Sequence, residues 1–196
     1  MKRLQPVIWM KGTFLSPQYL QMQDRFIESL LTFQLDALSF ANWGFKRLQV
    51  NQEALAAGYF ALSDAAGVFS DGLVFDIPEA DQPPSPRPLA DAFDQDQTQL
   101  DVYLAIPHYR ERGLNVAMSQ AKADTRFLSD VAMLRDENTG LTERPIQVAR
   151  KNFRLLAEGQ NRQNFTAMRV AVGSESGPRN ERSVSAHGAG LATSAW

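Results

Sequence analysis

Carboxylates and histidines are the side chains here that could carry acid–base or metal chemistry, so their spacing is tested first. Asp91, Asp94, Asp96 and Asp101 fall close together. Neighbouring carboxylates do acid–base work only where burial or a nearby charge separates their pKa values, and the segment around these is polar. Asp94-Gln95-Asp96 opens like a calcium loop, but Gln99 stands where the loop requires glycine and Ala105 where it requires a bidentate glutamate. A solvated acidic turn ahead of Leu100 is the expectation. The histidines are His108, beside a strand end, and His187, near the C-terminus, too few for a zinc site or a His-based triad. Gly173-Ser174-Glu175-Ser176-Gly177 has the outline of a nucleophile elbow with glutamate where serine is needed. Gly188 and Gly190 do not sit between a strand and a helix, and there is no Walker A or Gly-x-Gly-x-x-Gly loop. The expectation is a chain that is not an enzyme and has no catalytic, cofactor-binding or metal-ligating residue. The alternative is a carbohydrate-binding or hydrolytic β-sandwich using Asp94, Asp96 or Asp101.

Composition narrows the partners. A chain of 196 residues, 44% hydrophobic and 21% charged, matches a soluble globular protein of one ordinary domain or two small ones. Lys and Arg number 20 against 22 Asp and Glu, and no basic run would track phosphates, so nucleic acid is not an expected partner. Cysteine is absent, which excludes disulfides and thiolate sites and fits the reducing cytoplasm. The opening residues lack a secretory apolar core, being interrupted by Lys11. The longest apolar runs, such as 58–62 and 102–106, fall far short of the roughly 20 residues that span a bilayer, so no direct membrane insertion is expected.

The positioning elements follow from periodicity. Ser16 can cap a helix with Pro17 at its first position, and Leu20, Phe26, Ile27, Leu30, Leu31 and Leu35 repeat at a broadly helical period to about Leu38. One face of that helix should bury. Short alternating segments then read as strands, with a single helical turn capped by Asn51. Ser70-Asp71-Gly72 between Val68-Phe69 and Leu73-Val74-Phe75 predicts a β-hairpin. Prolines 83, 84, 86 and 88 predict a stiff surface strap. Leu100, Val102, Leu104 and Ile106 alternate as a strand ended by Pro107, 125–134 is ambiguous, 136–140 is a turn, Ile146, Val148, Phe153, Leu155 and Leu156 suggest further strands broken at 158–161, and 165–172 is the last strand expected. The aromatic residues Trp9, Phe14, Tyr19, Phe26, Phe40, Trp43 and Phe45 are among those that crowd the first 45 positions and are expected mostly in the core, a minority anchoring a partner. From 173 to 196 the composition becomes Gly-, Ser- and Ala-rich, predicting a disordered or foreign tail.

Val7-Ile8-Trp9-Met10-Lys11-Gly12-Thr13-Phe14-Leu15-Ser16-Pro17-Gln18-Tyr19-Leu20-Gln21-Met22-Gln23-Asp24 resembles the opening of the TssK family, baseplate subunits of bacterial type VI secretion systems. Trp43-Gly44, Phe60-Ala61-Leu62, the hairpin 67–72, Phe75-Asp76-Ile77-Pro78 with Pro83-Pro84, and 102–107 resemble the same family in the same order. Lys11 replaces a commonly acidic residue, Tyr19-Leu20 replaces His-Phe, and the resemblance ends at about Val172. It implies a mainly β domain over 1–172, a β-sandwich similar to the shoulder of siphophage receptor-binding proteins, with an N-terminal amphipathic helix. It further implies a homotrimeric connector attached to the TssF and TssG wedge, whose C-terminal domain, absent from this chain, would bind the TssL and TssM membrane complex. On this reading Trp9, Phe14, Leu15, Pro17, Tyr19, Leu20, Pro83, Pro84 and Pro86 lie at or near protein contacts.

Overall fold

The computed structural model describes residues 5–8, 10–12, 15–38, 42–89, 99–118, 124–175 and 182–186. The chain divides into two compact units, one holding the N-terminal helix and one running from Gly44 to Gly190. Helix α1 (Pro17–Leu38) starts where the sequence places it, with the Ser16 carbonyl accepting the Tyr19 N–H at 3.1 Å and Pro17 supplying no donor in the first turn. Its apolar stripe does not bury as periodicity predicts. Leu20, Ile27, Leu31 and Leu35, spaced to share one helix face, are 45–55% exposed.

The second unit is built from strands β1 (Gly44–Val50), β2 (Tyr59–Phe60), β3 (Leu62–Val68), β4 (Val74–Ile77), β5 (Arg87–Pro88), β6 (Gln99–Pro107), β7 (Val116–Ala117), β8 (Phe127–Arg135), β9 (Glu143–Lys151), β10 (Arg154–Ala157), β11 (Phe165–Glu175) and β12 (Arg182–Ala186). One antiparallel sheet has the order β1-β3-β4 and a second the order β10-β6-β11-β12. Their inner faces share one core: Phe45, Val50, Leu62, Ala65, Phe75 and Ile77 from the first meet Val102, Leu104, Ile106, Leu155, Met168 and Val170 from the second. This is a sandwich whose two apolar faces leave water by covering each other.

Local chemistry explains the elements between. Asn51 caps the short helix α2 (Gln52–Ala56), its side chain accepting the Ala54 N–H at 3.0 Å. In the β3–β4 hairpin the Phe69 N–H reaches the Leu73 carbonyl, and Gly72 takes the left-handed φ of +86° that the turn requires. That hairpin projects Phe69 and Phe75 inward onto Phe153, their ring centroids 5.0–6.2 Å apart, and Phe45 meets Phe75 edge-on at 5.7 Å. The aromatic core is therefore not the one expected near the N-terminus. Phe45 is buried, Phe26 is half-buried, Tyr19 and Trp43 are exposed, and Trp9, Phe14 and Phe40 lie outside the described residues.

Three further differences concern the strands. The ambiguous stretch 125–134 supplies β8, which pairs with β9 over Phe127–Arg135 to make a long hairpin. Strand β11 runs past Val172 to Glu175 and pairs with β12, so part of the tail predicted to be disordered supplies backbone pairing to the sheet. A bulge between Arg169 and Ala171, opposite Tyr103 and Val102, lets the consecutive residues Val170 and Ala171 both bury, which strict alternation forbids.

Gly67 shows how closely the first sheet is packed. A Cβ there would run into the Gly44 carbonyl oxygen and lie 3.0 Å from Phe45 Cα, whereas one on Gly159 meets nothing within 4 Å. Gly67→Ala is expected to cost about 1–3 kcal/mol in urea unfolding, and Gly159→Ala within about 0.5 kcal/mol of zero. Equal midpoints for the two variants would contradict this packing.

Candidate interaction surface

The densest polar constellation in the sandwich joins residues distant in sequence. Arg126, only 5% exposed, donates from Nη1 to Asp71 Oδ2 at 2.7 Å and to the Pro107 carbonyl at 3.0 Å. The Thr166 hydroxyl donates to the same Asp71 oxygen at 3.0 Å, and His108 Nδ1 lies 3.1 Å from that hydroxyl. Since Thr166 spends its proton on Asp71, it can only accept from His108, which fixes the proton on Nδ1. Burial pushes the Asp71 carboxyl up, but the Arg126 hydrogen bond and charge, the Leu73 N–H and Thr166 together hold it below the usual carboxylate range. The constellation joins the β3–β4 turn, the residue before β8 and the ends of β6 and β11.

Of the candidate acid–base carboxylates, Asp101 lies among the described residues. Asp94 and Asp96 lie outside the described residues. Asp101 accepts the Tyr103 hydroxyl at 3.1 Å and an Arg169 Nη1 contact at 3.4 Å, while the Arg162 guanidinium stacks 3.9 Å from the Tyr103 ring centroid. Burial, then the bond to Asp101, raises the Tyr103 phenol above its ordinary value. Among the described residues no group of three or more His, Asp or Glu is arranged to hold a metal ion.

The residues singled out for protein contacts are placed unequally. Leu15 (60%), Tyr19 (39%) and Leu20 (50%) are exposed, as is Pro17, while Trp9 and Phe14 lie outside the described residues. In the proline strap Pro83 and Pro86 are exposed, but Pro84 is buried within its own unit and offers no free surface. Arg87 pins the strap by donating to the Leu155 carbonyl at 3.1 Å and to Gln160 Oε1 at 2.8 Å. The sequence predicts the turn 136–140 and a strand through Ile146 and Val148 but leaves 125–134 ambiguous, and so does not give the hairpin β8–β9, where Val131, Met133, Leu134, Ile146 and Val148 are 39–58% exposed. Its signal is weak because apolar residues occur on both faces, which erases the alternation by which a half-buried strand is recognised.

Residues 19–180 match the family described as "Bacterial Type VI secretion, VC_A0110, EvfL, ImpJ, VasE", a match that continues past Val172. The type VI secretion system baseplate component TssK1 of Pseudomonas aeruginosa is 34% identical over 169 residues, covering 84% of this chain and 37% of that protein. This chain thus spans well under half the length of that relative. A crystal structure of TssK superposes with a TM-score of 0.79 at 28% identity, covering 93% of this chain and 41% of the other. A chain of the TssK–TssF–TssG baseplate subcomplex, solved by cryo-electron microscopy, shares the fold with a TM-score of 0.82 at 20% identity, covering 93% of this chain and 60% of its own.

Removing one partner of the Arg126–Asp71 pair strands the other. Arg126→Met is expected to cost on the order of 3 kcal/mol in urea unfolding at neutral pH. Because the folded Asp71 carboxyl lies below its unfolded value of about 4, its stabilisation is complete above that pH and disappears as pH falls through the folded value. Asp71→Asn should therefore be less stable than the parent at pH 6 and lose less on going to pH 3. Parallel pH profiles for the two would refute the assignment.

Proposed function

Because the chain belongs to the bacterial type VI secretion family of TssK, ImpJ and VasE proteins, we propose that it is the wedge-attaching part of a structural baseplate connector. Its work is to hold other proteins at fixed positions, which asks for a rigid scaffold with accessible apolar anchors and no reactive pocket. The observation that carries this reading is the exposure of Leu15, Tyr19 and Leu20, large apolar side chains in the stretch where the family resemblance is densest. Pro83 and Pro86 on the strap add rigid surface at little entropic cost on binding.

TssF- and TssG-type wedge proteins are the proposed partners, supported by the occurrence of this fold in a TssK–TssF–TssG assembly. Homotrimer formation, and contact with a TssL and TssM membrane complex through a domain outside this chain, complete the proposed role. No helix among the described residues is long and apolar enough to cross a membrane. The proposed site of action is the cytoplasm.

Capture of co-expressed TssF and TssG from the same genome tests this reading. The unsubstituted chain should retain both. Replacing Leu15, Tyr19 and Leu20 together by serine should reduce retention at least about tenfold, at about 1–2 kcal/mol per anchor, while the unfolding midpoint stays put because all three are exposed. Full retention by the folded triple variant would remove this surface from the interface, and no retention by the parent chain would sink the wedge assignment itself.

A further inference from the structure

We propose that the loop between β6 and β7 is a preformed docking knob for an acidic segment of a partner protein. Residues 108–114 are all exposed, yet their backbone is tightly held. Asn115 closes the loop on itself: its Oδ1 accepts the Arg110 N–H at 2.8 Å, and its Nδ2 donates to the Arg110 carbonyl at 2.7 Å and to the Gly113 carbonyl at 3.2 Å. One side-chain amide thus satisfies three backbone groups that an open loop leaves to water. The base is fixed to the sandwich, the His108 N–H donating to the Asn164 carbonyl, Arg126 to the Pro107 carbonyl and the Phe127 N–H to the Asn115 carbonyl. A Cβ on Gly113 would lie 3.0 Å from Arg110 Cβ and 3.1 Å from its Cδ, so the Arg110 stem lies across the glycine.

Arg110, Gly113 and Asn115 therefore carry the shape of the loop. What it presents to solvent is Tyr109, 43% exposed, Arg112, and Leu114, 67% exposed. Tyrosine and arginine are the residue types that protein interfaces favour, and a loop already fixed in shape is spared the ordering cost of contact.

The charge balance selects an acidic partner. Asp124 is shared between Arg110 at 3.4 Å and Arg154 at 3.7 Å, both longer than the roughly 2.7–2.9 Å of a charge-assisted bond. Arg112 has no ion pair among the described residues. Arg110, Arg112 and Arg154 against Glu111 and Asp124 leave a cation in excess, on a chain whose formal net charge is -2. A carboxylate brought by the partner meets that excess, and Leu114 and Tyr109 take an apolar side chain beside it. Three cations fall short of the clusters of roughly four to eight that recruit anionic membranes, which favours a protein. The inference rests on the connector reading, whose wedge proteins would supply the segment. It adds a surface in the second unit to the anchors Leu15, Tyr19 and Leu20 in the first.

Capture of co-expressed TssF and TssG by the full chain tests it. Leu114→Ser and Arg112→Glu should each reduce retention about tenfold without moving the unfolding midpoint, since both side chains are exposed. Arg112→Lys, which keeps the charge, should stay within about threefold of the parent. Raising NaCl from about 0.1 to 0.5 M should weaken capture by the parent and change capture by Arg112→Glu much less. Asn115→Leu opens the clamp but leaves Tyr109, Arg112 and Leu114 in place, and should lower retention at least about fivefold in folded protein. If that variant does not fold, the two surface variants decide. Parental retention by both Leu114→Ser and Arg112→Glu overturns the proposal and leaves the wedge reading standing, whereas a parent chain that retains neither protein removes both. Equal salt dependence in the parent and Arg112→Glu overturns the acidic partner. Sedimentation of the parent with phosphatidylglycerol vesicles, lost in Arg112→Glu, would assign the loop to a membrane surface and overturn it too.

Discussion

The Arg126–Asp71 ion pair is the constraint on which the arrangement of the second unit depends. Asp71 sits on the β3–β4 turn of one sheet, and Arg126 precedes β8, where the long hairpin begins. Through Pro107, Thr166 and His108 the same pair holds the ends of β6 and β11 in the other sheet. A guanidinium as buried as Arg126 is tolerable only with its charge matched and its donors directed, so strands from both sheets are held to one geometry. A salt bridge of this kind contributes less net stability than apolar residues of the same volume would. What it does is join the β3–β4 turn of one sheet to the strand ends of the other at one buried point.

From that node outward the base of the hairpin is progressively tied and its tip released. The Asn152 N–H donates to the Arg126 carbonyl and its side-chain amide to the Thr125 carbonyl, while the Phe127 N–H donates to Asn115. One step further Lys151 pairs with Asp81 at 2.7 Å, and Arg150 holds Gln82, attaching the base to the loop that leads into the proline strap. Beyond these bonds the ribbon carries exposed Val131, Met133, Leu134 and Ile146.

Local signals carried much of the fold into view. Ser16-Pro17 marks the start of α1, Asn51 the cap of α2, and Ser70-Asp71-Gly72 the hairpin, because each depends on a backbone geometry that few residue types permit. The alternation of Val102, Leu104 and Ile106 likewise matched a strand with a buried face. Of the contact residues named from the sequence, Leu15, Pro17, Tyr19, Leu20, Pro83 and Pro86 are exposed, whereas Pro84 is packed inside. Proline spacing gives an extended strap but not which of its rings turns inward.

The sequence by itself determined that this is a mainly β chain with an early helix, and it carried the family resemblance, since turn chemistry, periodicity and ordered motifs are properties of neighbouring residues. Tertiary structure alone decided which aromatic residues form the core, that Val170 and Ala171 both bury across a bulge, and that β8 and β9 form a hairpin with apolar residues on both faces. It also decided that Asp71, His108, Arg126 and Thr166 meet, across as many as 95 residues of chain. Such features depend on which strands become neighbours. That choice is made by the burial of whole sheets against each other, a summed free energy in which no single residue or spacing declares the outcome.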